Sequence, residues 1–315
     1  MEILDAIGNT SIVRLRKVVP EGCGEVYAKL EWENPTGSLK DRMARAVIDR
    51  AVSEARLHPG DTVVEYTGGS TGASLALVCA ARGFPIRIVT SDAFSLEKRD
   101  QMRALGADLV LVRSEGGLTT RRLIEEMIET ARTISREPRT FWIDQLRNED
   151  SIAGYHPLGE EIWQQTERRV DAFVHSVGTS ASLRGAGSVL KEHKPGIRVV
   201  AVEPAESPVL SGGQAGPHKI EGVGIGSIPP LWLPSLVDQI VPIPTAEAKE
   251  MTRRLAREEG LFAGTSSGAN VLAAIQIAKR LGEGSTVVTL MVDSGLKYLG
   301  TDVYRSSIAR AAPAA

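Results

Sequence analysis

One lysine of this 315-residue chain is placed to act as a nucleophile rather than as a solvated charge. In Glu33-Asn34-Pro35-Thr36-Gly37-Ser38-Leu39-Lys40-Asp41-Arg42, Lys40 sits in a Pro/Gly turn immediately before an alanine-rich helical run. An amine held among small neighbours can be partly desolvated, lose its proton near neutral pH and attack a carbonyl. Beside Asp41 and Arg42 the plainer reading is a solvated helix start, and the segments that follow decide between the two. Glu65-Tyr66-Thr67-Gly68-Gly69-Ser70-Thr71-Gly72 reads as strand Thr62–Glu65, a glycine-hydroxyl loop and a helix from about Gly72. Closely spaced amides and hydroxyls at a helix N-terminus suit a carboxylate; alone, the loop is equally an ordinary strand-to-helix connection.

A third segment repeats the construction. Apolar strand Ala172–His175 runs into Ser176-Val177-Gly178-Thr179-Ser180-Ala181-Ser182 and then a helical stretch, the pattern of a phosphate cradle in which small residues let the backbone approach an anion. The G-x-G-x-x-G pattern is absent there, so a nicotinamide cofactor is not indicated. Gly222-Val223-Gly224-Ile225-Gly226 is followed by Pro229 and Pro230 and reads as a mobile loop near a pocket. Gly264-Thr265-Ser266-Ser267-Gly268-Ala269-Asn270 enters a helical run, Val271–Arg280, and strand Thr286–Val292 ends in Asp293-Ser294-Gly295.

The elements that must position these loops are short β-branched strands alternating with helical runs, for example Ile86–Thr90, Leu109–Val112 and Ile197–Val202. That alternation predicts an α/β fold with parallel sheets covered by helices on both faces. The length suits two α/β lobes, and 31 glycines with 4% aromatic residues suit many tight connections. A net charge of −2 leaves no basic footprint, so neither nucleic acid nor an anionic membrane is an expected partner. The first residues lack the features of a signal peptide and no apolar run is long enough to span a bilayer, so the expected location is cytoplasmic. Cys23 and Cys79 are too few for a disulfide framework, and Cys79 reads as a small buried hydrophobe. The scattered histidines and cysteines form no metal-ligand spacing. His156 reads as exposed or structurally bonded, His175 as a satisfied buried imidazole, Arg184 as a phosphate partner or a surface cation, and Asp293 as a cap of the next turn. The tail Ala309–Ala315 is expected to fray.

Taken together and in this order, these segments resemble the fold type II pyridoxal 5′-phosphate (PLP) enzymes, and within them the cysteine synthase and cystathionine β-synthase group. Ile7-Gly8-Asn9-Thr10-Ser11-Ile12-Val13-Arg14-Leu15 also looks like that family's start, and the resemblance runs from about residue 5 to about residue 300. It implies the two-lobed, tryptophan synthase β-like fold, with a smaller, mobile, carboxylate-binding lobe at 36–145 and a larger cofactor-binding lobe from 1–35 and 146–315. Lys40 matches the lysine that forms an imine with PLP, in a segment close to the family's N-P-T-G-S-x-K-D-R. Thr67, Gly68, Gly69, Ser70 and Thr71 fall on the loop that holds the substrate carboxylate, usually T-S-G-N-T. Gly68 replaces a serine, and Ser70 stands where an asparagine reaches the cofactor's 3′-oxygen. Gly178, Thr179, Ser180, Ala181 and Ser182 match the phosphate loop, usually G-T-G-G-T; side chains at 180 and 181 demand a backbone they tolerate, so a slightly altered loop is expected. Ser266 matches the serine that meets the pyridine nitrogen, and Gln145 is similar to a glutamine near the substrate carboxylate.

What the resemblance implies for activity is β-replacement on an O-activated L-serine through an α-aminoacrylate, with sulfide or another thiol as acceptor, as in a cysteine synthase. A serine at the pyridine nitrogen cannot hold it protonated as a carboxylate would, which favours elimination over transamination. Other readings stay open: a cystathionine-type or specialised amino acid synthase, a desulfhydrase or deaminase, or a non-catalytic PLP-binding regulator or scaffold, against which an intact Lys40 argues. A homodimer is implied, and no appended regulatory domain fits after about residue 300.

Overall fold

A computed structural model of the chain describes residues 1–117 and 120–305. The expected fraying tail at 309–315 lies outside the described residues. In chain order the elements are β1 (Ile12–Arg14), β2 (Glu25–Leu30), α1 (Lys40–Ser53), β3 (Thr62–Tyr66), α2 (Ser70–Arg82), β4 (Ile86–Ser91), α3 (Leu96–Ala104), β5 (Asp108–Val112), α4 (Arg121–Ile134), β6 (Thr140–Trp142) and α5 (Asp150–Ala153). There follow α6 (His156–Gln165), β7 (Ala172–Ser176), α7 (Ala181–His193), β8 (Arg198–Pro204), β9 (Gln239–Ile243), α8 (Thr245–Arg254), α9 (Thr265–Leu281) and β10 (Thr286–Met291).

The described chain divides into two compact units, one of residues 1–7 and 34–154, the other of 8–33 with everything from Tyr155 onward. The first contains a four-stranded sheet in the order β5-β4-β3-β6, every neighbouring pair parallel. Val64, Val89, Leu123, Met127 and Ala131 form part of the core on which α4 lies. The second contains a six-stranded sheet, β1-β2-β10-β7-β8-β9, parallel except for the antiparallel edge pair β1–β2. β7 and β10 are buried along their whole length, which is why they read as continuous apolar runs rather than as alternating ones. Each aliphatic side chain so buried contributes on the order of 1.5–3 kcal/mol.

The parallel, helix-covered sheets are those the alternation of elements predicts. Two helices start earlier than the sequence suggests. α2 begins at Ser70 rather than about Gly72, and α9 at Thr265 rather than Val271. The hydroxyl residues Ser70, Thr71, Thr265 and Ser266 thus occupy first helical turns instead of preceding loops. Serine and threonine compete with the backbone for hydrogen bonds and read as loop formers, yet a first turn has amides to spare and accommodates them.

Candidate active site

In the first unit Lys40 opens α1, half-buried. Its turn is built by its neighbours. Gly37 adopts a φ of +73°, and its N–H donates to the Asn34 carbonyl at 2.7 Å. The Thr36 amide donates to Asp41 Oδ2 at 2.8 Å and the Thr36 hydroxyl to Asp41 Oδ1 at 2.5 Å. Asp41 is 0% exposed and Arg42 4%, so a solvated helix start is not what this segment forms. The two charged residues that argued for the plain reading are structural groups beneath the lysine turn.

The same turn is tied to the glycine-hydroxyl loop. Thr36 Oγ1 lies 3.3 Å from Ser74 Oγ; with the Thr36 hydrogen given to Asp41 and the Ser74 hydrogen given to the Ser70 carbonyl at 2.9 Å, the two hydroxyl oxygens meet as packed neighbours, so the lysine turn rests directly on α2. Within the loop, the Gly69 amide donates to Thr67 Oγ1 at 3.0 Å. The Thr71 hydroxyl donates to Gln145 Oε1 at 2.9 Å, and Gln145 Nε2 donates to the Tyr66 carbonyl at 3.0 Å. A carbonyl only accepts, so the orientation of the Gln145 amide is fixed. Toward an anion, Thr71 therefore offers its main-chain N–H, because its hydroxyl hydrogen is committed to Gln145.

Two residues of this half were not singled out in the sequence. Glu65, 0% exposed, accepts the Tyr66 amide on Oε1 at 3.0 Å and the Gln145 amide on Oε2 at 3.2 Å. Burial pushes its carboxyl up to about 8 against the pull of those amides, with the Asp144 charge pushing the same way. Burial likewise pushes the Tyr66 phenol up. The second residue is Phe94: a Cβ built on Gly68 would lie 2.7 Å from Phe94 Cε1. The missing side chain at 68 is thus matched by an aromatic ring that fills its space, a pairing no local motif could reveal. Gly69 similarly faces Lys98, whose Cδ would be 2.5 Å from an added Cβ.

In the second unit the loop after β7 ends with Ser180 as the N-cap of α7 at φ +74°. A backbone that Cβ-bearing residues tolerate was the expectation; the serine instead occupies the left-handed region that favours glycine, at a cost of about 1–2 kcal/mol. Thr179 Oγ1 accepts the Ala181 amide at 3.4 Å. At Gly178 an added Cβ would meet the Gly222 carbonyl oxygen at 2.4 Å, and the Gly224 amide donates to the Val177 carbonyl at 3.0 Å. The glycine run 222–226 therefore packs on the cradle, and Gly224 and Ile225 line a small cavity with Val177 and Gly178.

Ser266 is buried in the first turn of α9. One turn farther along, Asn270 accepts the Ser176 amide on Oδ1 at 2.8 Å and donates through Nδ2 to the Leu290 carbonyl at 2.9 Å. His175 is buried, with Nε2 2.8 Å from Ser182 Oγ and Nδ1 3.4 Å from Asn270 Nδ2, the satisfied imidazole expected. His156 is exposed and Cys79 fully buried, its thiol pushed up to about 12 by burial. Arg184 lies part-buried on α7. Asp293 is not the cap of the next turn. Ser294 caps it, accepting the Leu296 amide, while Asp293 Oδ2 accepts the Tyr298 hydroxyl at 3.0 Å.

The first unit thus packs the Lys40 turn against α2 and ties the loop 67–71 to Gln145 by hydrogen bonds. The second links 178–182 to the helix that carries Ser266 through Ser182, His175 and Asn270. Among the described residues no helix is long and apolar enough to cross a membrane.

The chain is similar to known proteins over nearly its whole length. Residues 3–293 match the family model described as pyridoxal-phosphate dependent enzyme. A cysteine synthase of Staphylococcus aureus is 44% identical over 305 residues, 96% of each chain. Among solved structures, the cysteine synthase (OASS) of Entamoeba histolytica superposes with a TM-score of 0.90 at 37% identity, over 96% of this chain and 90% of that one. An O-ureido-L-serine synthase superposes with a TM-score of 0.88 at 38% identity, over 96% and 95%.

Proposed function

We propose, from the premise that this chain belongs to the pyridoxal-phosphate dependent enzymes and within them to the cysteine synthase family, that it makes cysteine by β-replacement on an O-activated L-serine with sulfide as acceptor. The observation that carries the reading is the packing of the Lys40 turn, fastened by Asp41, against α2 at the Thr36–Ser74 contact, which sets the lysine beside the loop 67–71 where that helix begins. It holds an amine nucleophile and a carboxylate cradle in fixed register, the condition under which proximity lowers a barrier.

The residues present fit PLP. A backbone approach at Gly178 too close to Gly222 for any Cβ, amides at the start of α7 and the hydroxyls of Thr179 and Ser182 suit a phosphate dianion. A half-buried lysine suits an aldehyde. When bound, PLP supplies that aldehyde and an electron-withdrawing ring that acidifies the α-carbon of an attached amino acid. In this reading Lys40 would hold the group through Nζ, and with substrate in place Nζ would take the proton from the substrate's α-carbon and later return it. The amides of Thr67–Thr71 orient the substrate carboxylate, and Glu65 and Gln145 stiffen that loop from beneath. The Ser266 hydroxyl serves the ring nitrogen without a carboxylate's charge, which steers the chemistry to loss of the β-substituent.

The smaller-lobe and larger-lobe division of labour, the cytoplasmic location and the homodimer expected from the resemblance belong to this proposal; light scattering tests the dimer. A second reading keeps the chemistry and changes the substrate, favoured by Gly68 beneath Phe94 and by the O-ureido-L-serine synthase among the relatives. A panel of O-activated serines with sulfide, thiols and water, read by product mass spectrometry in wild type and Ser70→Asn, separates the two. Cysteine from O-acetylserine and sulfide supports the first. Borohydride trapping must place a pyridoxyl label on Lys40; a label elsewhere, or none, overturns both.

A further inference from the structure

The histidine beside the phosphate loop has an orientation that chemistry alone dictates. Asn270 Oδ1 meets the Ser176 amide, which can only donate, and Asn270 Nδ2 meets the Leu290 carbonyl, which can only accept. The amide of Asn270 therefore has one possible assignment, independent of how oxygen and nitrogen are told apart. Its second Nδ2 hydrogen faces His175 Nδ1 at 3.4 Å, so Nδ1 accepts and the ring proton resides on Nε2. Nε2–H then donates to Ser182 Oγ at 2.8 Å. A hydroxyl oxygen that accepts from a donor behind it has its own hydrogen to give ahead. Ser182 is the second residue of α7, where a helix favours an anion.

We propose that Asn270 and His175 are positioning residues that set Ser182 as a hydrogen-bond donor to a phosphate monoester, an inference that rests on the reading of 178–182 as the cofactor's phosphate cradle. The chain of contacts starts one turn beyond Ser266 on α9 and ends on α7, so it also couples the element that serves the ring nitrogen to the one that serves the phosphate. With a histidine that accepted at Nε2, the Ser182 hydrogen would be drawn back to the imidazole, and the loop would lose a donor where the dianion binds.

The test uses the full chain freed of cofactor, titrated by absorbance with PLP and separately with pyridoxal, which lacks the phosphate. Ser182→Ala and His175→Leu are each expected to weaken PLP binding about tenfold or more, the effect of one hydrogen bond to a charged group. Pyridoxal binding should be unchanged, and the double variant no weaker than Ser182→Ala by more than about twofold, because both remove one interaction. His175→Gln, which presents an N–H toward the same oxygen, should recover most of the loss. Equal losses for PLP and pyridoxal, additive effects, or no loss in Ser182→Ala would overturn the inference; the last remains decisive should His175→Leu not fold. Wild type that binds PLP no better than pyridoxal would instead strike the phosphate-cradle reading itself.

Discussion

Replacing Glu65 by glutamine should remove a specific pH dependence of stability. Glu65 is fully buried, and burial lifts its carboxyl from 4.5 to about 8 despite the two amides that favour its charged form. In the unfolded chain it ionises normally, so between these two values the folded state binds one proton more than the unfolded state. Stability from this group is complete below about 4.5 and is lost as pH rises toward 8. Three and a half pH units at about 1.4 kcal/mol each make the whole loss roughly 5 kcal/mol, an upper figure that relaxation of the site reduces. Glutamine cannot ionise. It also presents an N–H to one of the two amides, so the variant starts lower by about 1–3 kcal/mol; the informative quantity is slope, not offset. Urea unfolding of the cofactor-free chain, followed by far-UV circular dichroism at pH 5.5, 6.5 and 7.5, should show wild type losing about 1.4 kcal/mol per pH unit relative to Glu65→Gln. Parallel pH profiles for the two proteins would refute the assignment of a neutral carboxyl beneath the loop 67–71.

Three further outcomes follow from close contacts. Gly68→Ser should raise KM for the amino-acid substrate because its Cβ meets the Phe94 ring at 2.7 Å, an overpacking cost of about 1–3 kcal/mol; adding Phe94→Ala should reverse the effect, and a simple sum of the two losses would count against the pairing. Gly178→Ala drives a Cβ onto the Gly222 carbonyl at 2.4 Å, a backbone atom that cannot rotate away, so cofactor occupancy measured by absorbance should fall at least about tenfold in an otherwise folded chain. In the native protein a thiol reagent should modify Cys23, which is partly exposed, and spare Cys79, which is buried with its thiol pushed up to about 12; modification of both without denaturant would contradict the packing of α2.

Much of this was legible because it is local. A strand, a glycine-hydroxyl loop and a helix are consecutive, so the strand–loop–helix connections at Thr67–Thr71 and Gly178–Ser182 could be read from order alone, as could the turn that carries Lys40. Helix starts were misjudged where serine and threonine occupy first turns, since their propensity describes the average position and not the amide-rich end. Asp41 and Arg42 looked solvated because charge is normally a surface signal, and only packing shows that they are buried. Glu65, Phe94 and Asn270 act through partners remote in sequence, and no single-chain pattern encodes such a pairing.

The departures from the usual loops then acquire a physical order. Gly68 is compensated in space by Phe94, so that change and its partner form one unit whose consequence is a differently shaped wall at the loop 67–71. Ser180 is compensated by nothing comparable: it bears a left-handed backbone, and the loop keeps its curvature at the expense of stability. Strain of that kind persists where the surroundings over-determine a conformation. Here the surroundings are the Gly222 carbonyl pressed against Gly178 and the Asn270–His175–Ser182 contacts fixed from α9. A serine at 180 is therefore tolerated because neighbours on both sides already hold the loop in shape. By the same logic Ser180→Gly should stabilise the chain by about 1 kcal/mol without tightening PLP binding, whereas an equal gain in affinity would mean that Ser180, not its neighbours, limits the cradle.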